Sequence, residues 1–124
     1  MIDTPCPFCD FNQLSNRSWQ VLWEPFPVGL GHVKIIPHRH EADLFNLTPE
    51  EQADFWKALE DTKRYLDSAL GKHKPEGYNL GINHGEAAGQ TIKHLHIHLI
   101  PRYKGDVENP RGGIRNFKKS LIDW

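Results

Sequence analysis

The run His94-Leu95-His96-Ile97-His98 alternates imidazole with hydrocarbon without a break. Strict alternation is the signature of a half-buried β-strand, whose successive side chains face opposite sides. Two residues advance about 6.6 Å along a strand, so the three rings are expected to form one row while Leu95, Ile97 and Leu99 pack beneath them. Imidazole near neutral pH can act as nucleophile, proton donor, proton acceptor or metal ligand. A row of such rings on a rigid strand is poised for chemistry.

The segments around this strand predict an α+β fold. Residues 18–23 and 32–36 read as two antiparallel strands joined by the loop 24–31, which holds too much Pro and Gly for a helix. Thr48-Pro49-Glu50-Glu51 is a helix start: Thr48 caps, Pro49 suits the first turn and Glu51 completes a capping box. The helix should run to about Leu70, with Phe55, Leu59, Leu66 and Leu70 as its core stripe and Trp56 and Ala69 alongside; Gly71 stops it. Residues 78–83 read as a third strand, a Gly-bearing loop fills 84–90, and the tail 104–113 is turn-forming. Trp19, Trp23 and Trp56 are expected in the core or at an interface, and His73 and His84 in solvated loops.

At 124 residues and 38% hydrophobic content, the chain suits a single domain, 1–124, with one core. Fifteen basic and sixteen acidic residues leave a formal net charge of -1, which gives no bias toward nucleic acid or an anionic membrane. No apolar run approaches a membrane span, and a soluble, cytoplasmic protein is expected. The only two cysteines, Cys6 and Cys9, form a Cys-x-x-Cys pair, which favours metal binding or redox chemistry over a structural disulfide.

Read from the residues alone, three histidines on one face allow two chemistries. One is metal binding, although rings about 6.6 Å apart could share an ion only by bending toward it. The other is nucleophilic catalysis, in which the middle ring attacks and its neighbours handle protons and charge. The loop 83–91 adds glycines for close backbone approach and then the amide of Gln90 and the hydroxyl of Thr91, both suitable donors to phosphate oxygens. It lacks the Gly-Lys-Ser/Thr ending of a P-loop.

The segment Gly89-Gln90-Thr91-Ile92-Lys93-His94-Leu95-His96-Ile97-His98-Leu99-Ile100-Pro101-Arg102 resembles the signature of the histidine triad family, and the resemblance extends upstream through Gly31–His40 and Leu44–Thr48. It implies an antiparallel sheet of about five strands with one main helix and a shorter one, the sheet continuing across a homodimer. It further implies nucleotide binding and cleavage at the α-phosphorus through a covalent nucleotidyl-histidine. By the family pattern His96 is the nucleophile, His98 binds phosphate oxygens and supports the leaving group, and His32 holds the site from nearby; His94 is the first triad position. Asn83, Gly89, Gln90 and Thr91 fall at positions that contact phosphate or bridging oxygens. Glu24 stands where relatives carry Asp or Asn on the ribose hydroxyls, and it departs from them by one methylene.

A zinc-binding subset of the family completes a Cys2His2 site with the first triad histidine and the last histidine of the Pro-x-x-His segment. Here those are His94 and His40, with Cys6 and Cys9, and His38 is a substitute for His40. Such a Zn2+ would be structural and would orient His94. Trp124 is expected to fold toward a dimer partner, as C-terminal segments do in part of the family. The sequence Pro101-Arg102-Tyr103-Lys104-Gly105-Asp106 resembles the branch acting on dinucleoside polyphosphates such as diadenosine tri- or tetraphosphate. The alternatives are hydrolysis of an adenosine phosphoramidate, phosphorolysis, or a nucleotide-binding module without turnover. A purine nucleotide or dinucleoside polyphosphate, rather than nucleic acid or membrane, is the expected partner.

Overall fold

The computed structural model describes residues 14–115. Strands β1 (Trp19–Trp23), β2 (Val33–Pro37), β3 (Gly77–Ile82) and β4 (Ile97–Arg102) form one antiparallel sheet in the order β1-β2-β4-β3. Helix α1 (Pro49–Ala69) connects β2 to β3. The expected α+β class forms, with four strands among the described residues rather than about five. In place of a shorter second helix, the described residues hold only three-residue 3-10 turns, at Leu44–Asn46, Gly71–His73, Glu86–Ala88 and Gly113–Arg115.

Alternation along the strands divides the sheet into two unlike faces. Trp19, Val21, Val33, Ile35, Ile97 and Leu99 are buried and join Ala58 and Leu66 of α1 in one core. Trp19 anchors it: its ring lies 5.0 Å from that of Phe55, and its Nε1–H donates to the Glu51 carbonyl at 2.8 Å. The opposite face carries Lys34, Ile36, His98 and Ile100, and α1 does not cover it.

The alternation Leu95, Ile97, Leu99 inward holds throughout, but the regular strand begins only at Ile97. His94, Leu95 and His96 precede it. The cause lies in both neighbours. On one side β2 ends at Pro37, which has no N–H to donate, and Leu95 turns its own N–H to the Glu41 carbonyl at 2.7 Å. On the other, β3 ends at Ile82 opposite Ile97.

Helix α1 starts as its sequence dictates, with both halves of the Thr48–Glu51 capping box formed. Its core stripe differs in detail from the sequence expectation. Ala58, Thr62 and Leu66 are buried, and the Thr62 hydroxyl is satisfied by the Ala58 carbonyl. Phe55, Leu59 and Leu70 pack beside them, whereas Trp56 (59% exposed) and Ala69 face solvent. Gly31 needs its missing side chain: φ is +87°, and a Cβ there would sit 3.0 Å from both Leu70 and Pro101. That close approach seats the next residue, His32, at the edge of the core. No helix among the described residues is long and apolar enough to cross a membrane.

Candidate active site

On the uncovered face, a groove of about 600 Å³ is lined by Glu24, Pro25 and Phe26 of the β1–β2 loop, Lys34 and Ile36 of β2, and Ile92, His94, Leu95, His96 and His98. Hydrogen-bond partners settle which nitrogen of each ring carries its proton. The Val28 N–H donates to Nδ1 of His32 at 3.2 Å, so His32 keeps its proton on Nε2 and donates it to Nδ1 of His98 at 2.9 Å. His98 is left with an Nε2–H directed away from that bond. His96 is the reverse case. Its Nδ1 faces the His94 carbonyl at 3.0 Å and must be the donor, which leaves Nε2 as a bare lone pair. The two rings stand edge to face, with centroids 5.2 Å apart.

The electrostatics keep the relay neutral. Burial, reinforced by the neighbouring His98 and by Lys34, pushes the His32 pKa down, and burial with His96 and Lys34 does the same to His98; Glu24 opposes both shifts. Glu24 Oε1 lies 3.9 Å from His98 Nδ1 and 4.0 Å from Lys34 Nζ, while Oε2 accepts from the Phe26 N–H at 3.1 Å. Lys34 and His98 are direct partners across β2 and β4, so this ammonium belongs to the site although its residue type gave no signal. Alternation with buried Val33 and Ile35 was the clue, since it puts Lys34 and Ile36 on the histidine face. The groove walls Phe26 and Ile92, 83% and 62% exposed, were also missed, because exposed loop hydrocarbons carry no pattern in sequence.

Other expected residues are more dispersed. Asn83 lies on the far side of His98, in a second cavity. Gln90 braces its own loop: Oε1 accepts from Gly85 N–H at 2.9 Å, and Nε2 donates to the Ala42 carbonyl at 3.1 Å. One amide hydrogen of Gln90 remains for a ligand. Gly89 (φ +97°) and Thr91 are exposed. His73 is exposed as expected; His84, also exposed, lies 3.7 Å from Asp43 and stacks edge-on with Phe45.

Among the described residues, ligand-type atoms of Glu24, His32 and His98 lie within 4.8 Å of one another, a spacing able to hold a metal ion. The His32–His98 hydrogen bond already occupies the facing nitrogens, so the group is better described as a proton-ordered chain than as an open coordination shell. A different pair suits zinc. The rings of His40 and His94 stand edge to face at 5.1 Å, and His94 Nε2 donates to the Pro37 carbonyl at 2.9 Å, which leaves its Nδ1 lone pair available. His38 is instead turned to the Asn16 carbonyl at 2.9 Å. Cys6, Cys9 and Trp124 lie outside the described residues.

The charge arrangement has a measurable consequence. The His32 and His98 rings should titrate below the ordinary 6.5 in an NMR pH series. Lys34→Met should move both upward by removing a cation, and Glu24→Gln should move both downward. Because the folded rings resist protonation, the unfolded chain takes up protons first, and stability should fall as pH drops from about 6.5 through the folded-state values. Titration of either ring above 6.5 in the unmodified protein would contradict the arrangement.

The HIT domain family matches residues 15–105. The bis(5'-adenosyl)-triphosphatase of Saccharomyces cerevisiae is 39% identical over 103 residues, covering 79% of this chain and 48% of that protein. The AP-4-A phosphorylase of Mycobacterium tuberculosis is 30% identical over 111 residues, covering 82% and 55%. Among solved structures, the Zn-bound histidine triad family protein from Mycobacterium smegmatis is similar with a TM-score of 0.59 and 32% identity, covering 74% of this chain and 65% of that one. The chain spans about half the length of the curated relatives it matches. With three-quarters of its residues inside the family match and the histidine row in its groove, the chain belongs to the HIT domain family.

Proposed function

We propose that this protein cleaves a dinucleoside polyphosphate at its α-phosphorus through a covalent nucleotidyl-His96 intermediate. The observation that carries this reading is the opposed state of two adjacent rings: His96 offers an unprotonated Nε2 and His98 an Nε2–H, in one groove. A neutral nucleophile suits an anionic phosphoanhydride, which would repel a charged one. Relatives carrying the names triphosphatase and phosphorylase support the same substrate class.

In the first step the His96 Nε2 lone pair forms a P–N bond as the α-phosphorus–oxygen bond to the leaving polyphosphate breaks. The polyphosphate takes the bonding pair and departs as an anion, and the His98 N–H donates a hydrogen bond where negative charge gathers. The His96 ring becomes cationic, and its Nδ1–H points at the His94 carbonyl, whose dipole stabilises that charge. Water, or inorganic phosphate in a phosphorolysis, then attacks phosphorus. The P–N pair returns to Nε2, and the attacking oxygen loses its proton to solvent. In the groove, Phe26, Ile36 and Ile92 suit a base, and Glu24 suits the ribose hydroxyls. His96→Ala should lower turnover by at least about a thousandfold while nucleotide affinity persists. Incubation of the unmodified protein with α-labelled dinucleotide should give acid-labile label on His96, and runs with and without phosphate distinguish the acceptor. Turnover retained in His96→Ala would refute the covalent route, and binding with no turnover by the unmodified protein would favour a binding module.

We further infer a structural Zn2+ held by Cys6, Cys9, His40 and His94. The edge-on His40–His94 pair and the free Nδ1 of His94 support this set. When bound, the ion would contribute folding energy and fix His94, whose carbonyl holds the nucleophile. Elemental analysis should find about one zinc per chain, lost in Cys6→Ser. Full zinc content in that variant would exclude the site.

A homodimer is the proposed assembly. Among the described residues strand β3 is a sheet edge, and an unpaired edge is a template for a second strand. Sedimentation should give about twice the 14.3 kDa chain mass; a monomer at micromolar concentration would refute it.

A further inference from the structure

On the uncovered face of the sheet, Lys34 is the direct cross-strand neighbour of His98. Its side chain is 23% exposed, and its Nζ stands 4.0 Å from Glu24 Oε1. That separation exceeds the roughly 2.7–3.2 Å of a hydrogen bond, so Glu24 holds the ammonium by charge and engages none of its N–H donors. The lysines paired on α1 are the opposite case. Lys57 and Lys63 are more than half exposed and reach Asp61 and Asp67 at 3.1 and 2.7 Å. Lys34 is at once the most withdrawn from water and the most loosely paired of the three, an arrangement whose desolvation cost the folded protein alone does not offset.

The groove shows what could complete it. Among the described residues lining it, Lys34 is the one cationic side chain and Glu24 the one carboxylate, and burial keeps His32 and His98 toward their neutral forms. Without Lys34 the groove would present a net negative charge to a polyphosphate. Cross-strand neighbours stand about 4.5–5.5 Å apart at Cβ, and the flexible four-carbon stem of lysine is long enough to reach across the neighbouring His98 ring. A phosphate that bonds to His96 Nε2 and accepts from His98 Nε2–H therefore has a non-bridging oxygen within reach of this ammonium. Ribose hydroxyls donating to Glu24 would occupy the carboxylate and leave the ammonium to the phosphate.

We propose that Lys34 is a catalytic residue, its ammonium donating hydrogen bonds to a non-bridging oxygen of the α-phosphate during transfer to His96. The assignment rests on the reaction proposed above and supplies the positive charge of the groove before the P–N bond forms. Lys34 keeps its protons throughout. As the P–N bond forms and the bond to the leaving oxygen breaks, negative charge on the non-bridging oxygens meets a cation already in place.

The contact is readable without turnover. At about pH 8, well above the ordinary value of about 6.5 for histidine, calorimetry with adenosine and with adenosine 5'-monophosphate separates the nucleoside from its phosphate. Lys34→Met should cut the affinity advantage of the monophosphate over adenosine by about tenfold, with adenosine itself changed less than about twofold, and Lys34→Arg should restore most of that advantage. The double variant Lys34→Met/Glu24→Gln should keep the advantage low, since a lost contact does not return when the carboxylate is neutralised. With diadenosine tetraphosphate as substrate, Lys34→Met should lower kcat by about a hundredfold. An unchanged advantage in Lys34→Met, an equal loss for adenosine, or recovery in the double variant would overturn the contact. Turnover through a labelled His96 adduct with kcat unchanged in Lys34→Met would overturn the catalytic role alone, whereas no turnover by the unmodified protein would overturn the reaction and that role with it.

Discussion

The hydrogen bond from His96 Nδ1 to the His94 carbonyl is the contact on which the proposed chemistry depends. It leaves the lone pair of the middle ring on Nε2, as the proposed nucleophile requires. A backbone carbonyl cannot titrate, so this tautomer does not depend on the charge state of an acidic partner. It depends on the path of the chain. The His94 carbonyl is aimed correctly because the His94 ring is tied to the Pro37 carbonyl and Leu95 N–H is tied to Glu41. A histidine row kept in regular strand geometry to its first member would commit that carbonyl to the ladder instead.

His98 is ordered from the other direction. Its Nδ1 receives a proton that Val28 fixes two bonds away, through His32. Neighbouring rings on one sheet face thus hold opposite proton arrangements because one is set by an acceptor and the other by a donor. Glu24 places a carboxylate 3.9 Å from His98 Nδ1, which would draw a second proton onto the ring and break this order. Lys34, paired with the same carboxylate oxygen, offsets that pull. The cation accommodates a Glu at a site where the resemblance leads one to expect Asp or Asn.

Much of this was legible in the sequence, for identifiable reasons. The period-2 pattern placed Leu95, Ile97 and Leu99 inward, and the capping box fixed the start of α1, because both signals are local. The start of β4 was not legible: it depends on Pro37 and Glu41, some sixty residues upstream, competing for the same backbone groups. Trp56 misled because helical spacing gives a residue a place beside the apolar stripe without fixing which edge the sheet covers. Lys34 was hidden by its residue type, and the bracing of Gln90 by Gly85 and Ala42, which still leaves one amide hydrogen for a ligand, has no local signal. For both, the missing information was a partner on another segment.

That partner segment, residues 39–46, explains how a helix on one face supports chemistry on the other. Arg39 donates to both Glu51 oxygens at 3.0 and 2.9 Å, to Glu41 at 3.0 Å and to the Asn46 carbonyl at 3.1 Å. Arg39 and the capping-box contacts pull the Glu51 carboxyl down to about 2, so it stays ionised wherever the rings are neutral. Glu51 therefore both caps α1 and clamps the segment. The clamped segment then supplies the Glu41 carbonyl to Leu95 and the Ala42 carbonyl to Gln90, bracing the triad approach and the Gly-bearing loop from one side. Because Leu95 sits between His94 and His96, the position of the His96 acceptor is tied to the same Glu51 carboxylate that caps the helix. Helix start and proton placement in the groove are thus two ends of one hydrogen-bonded path.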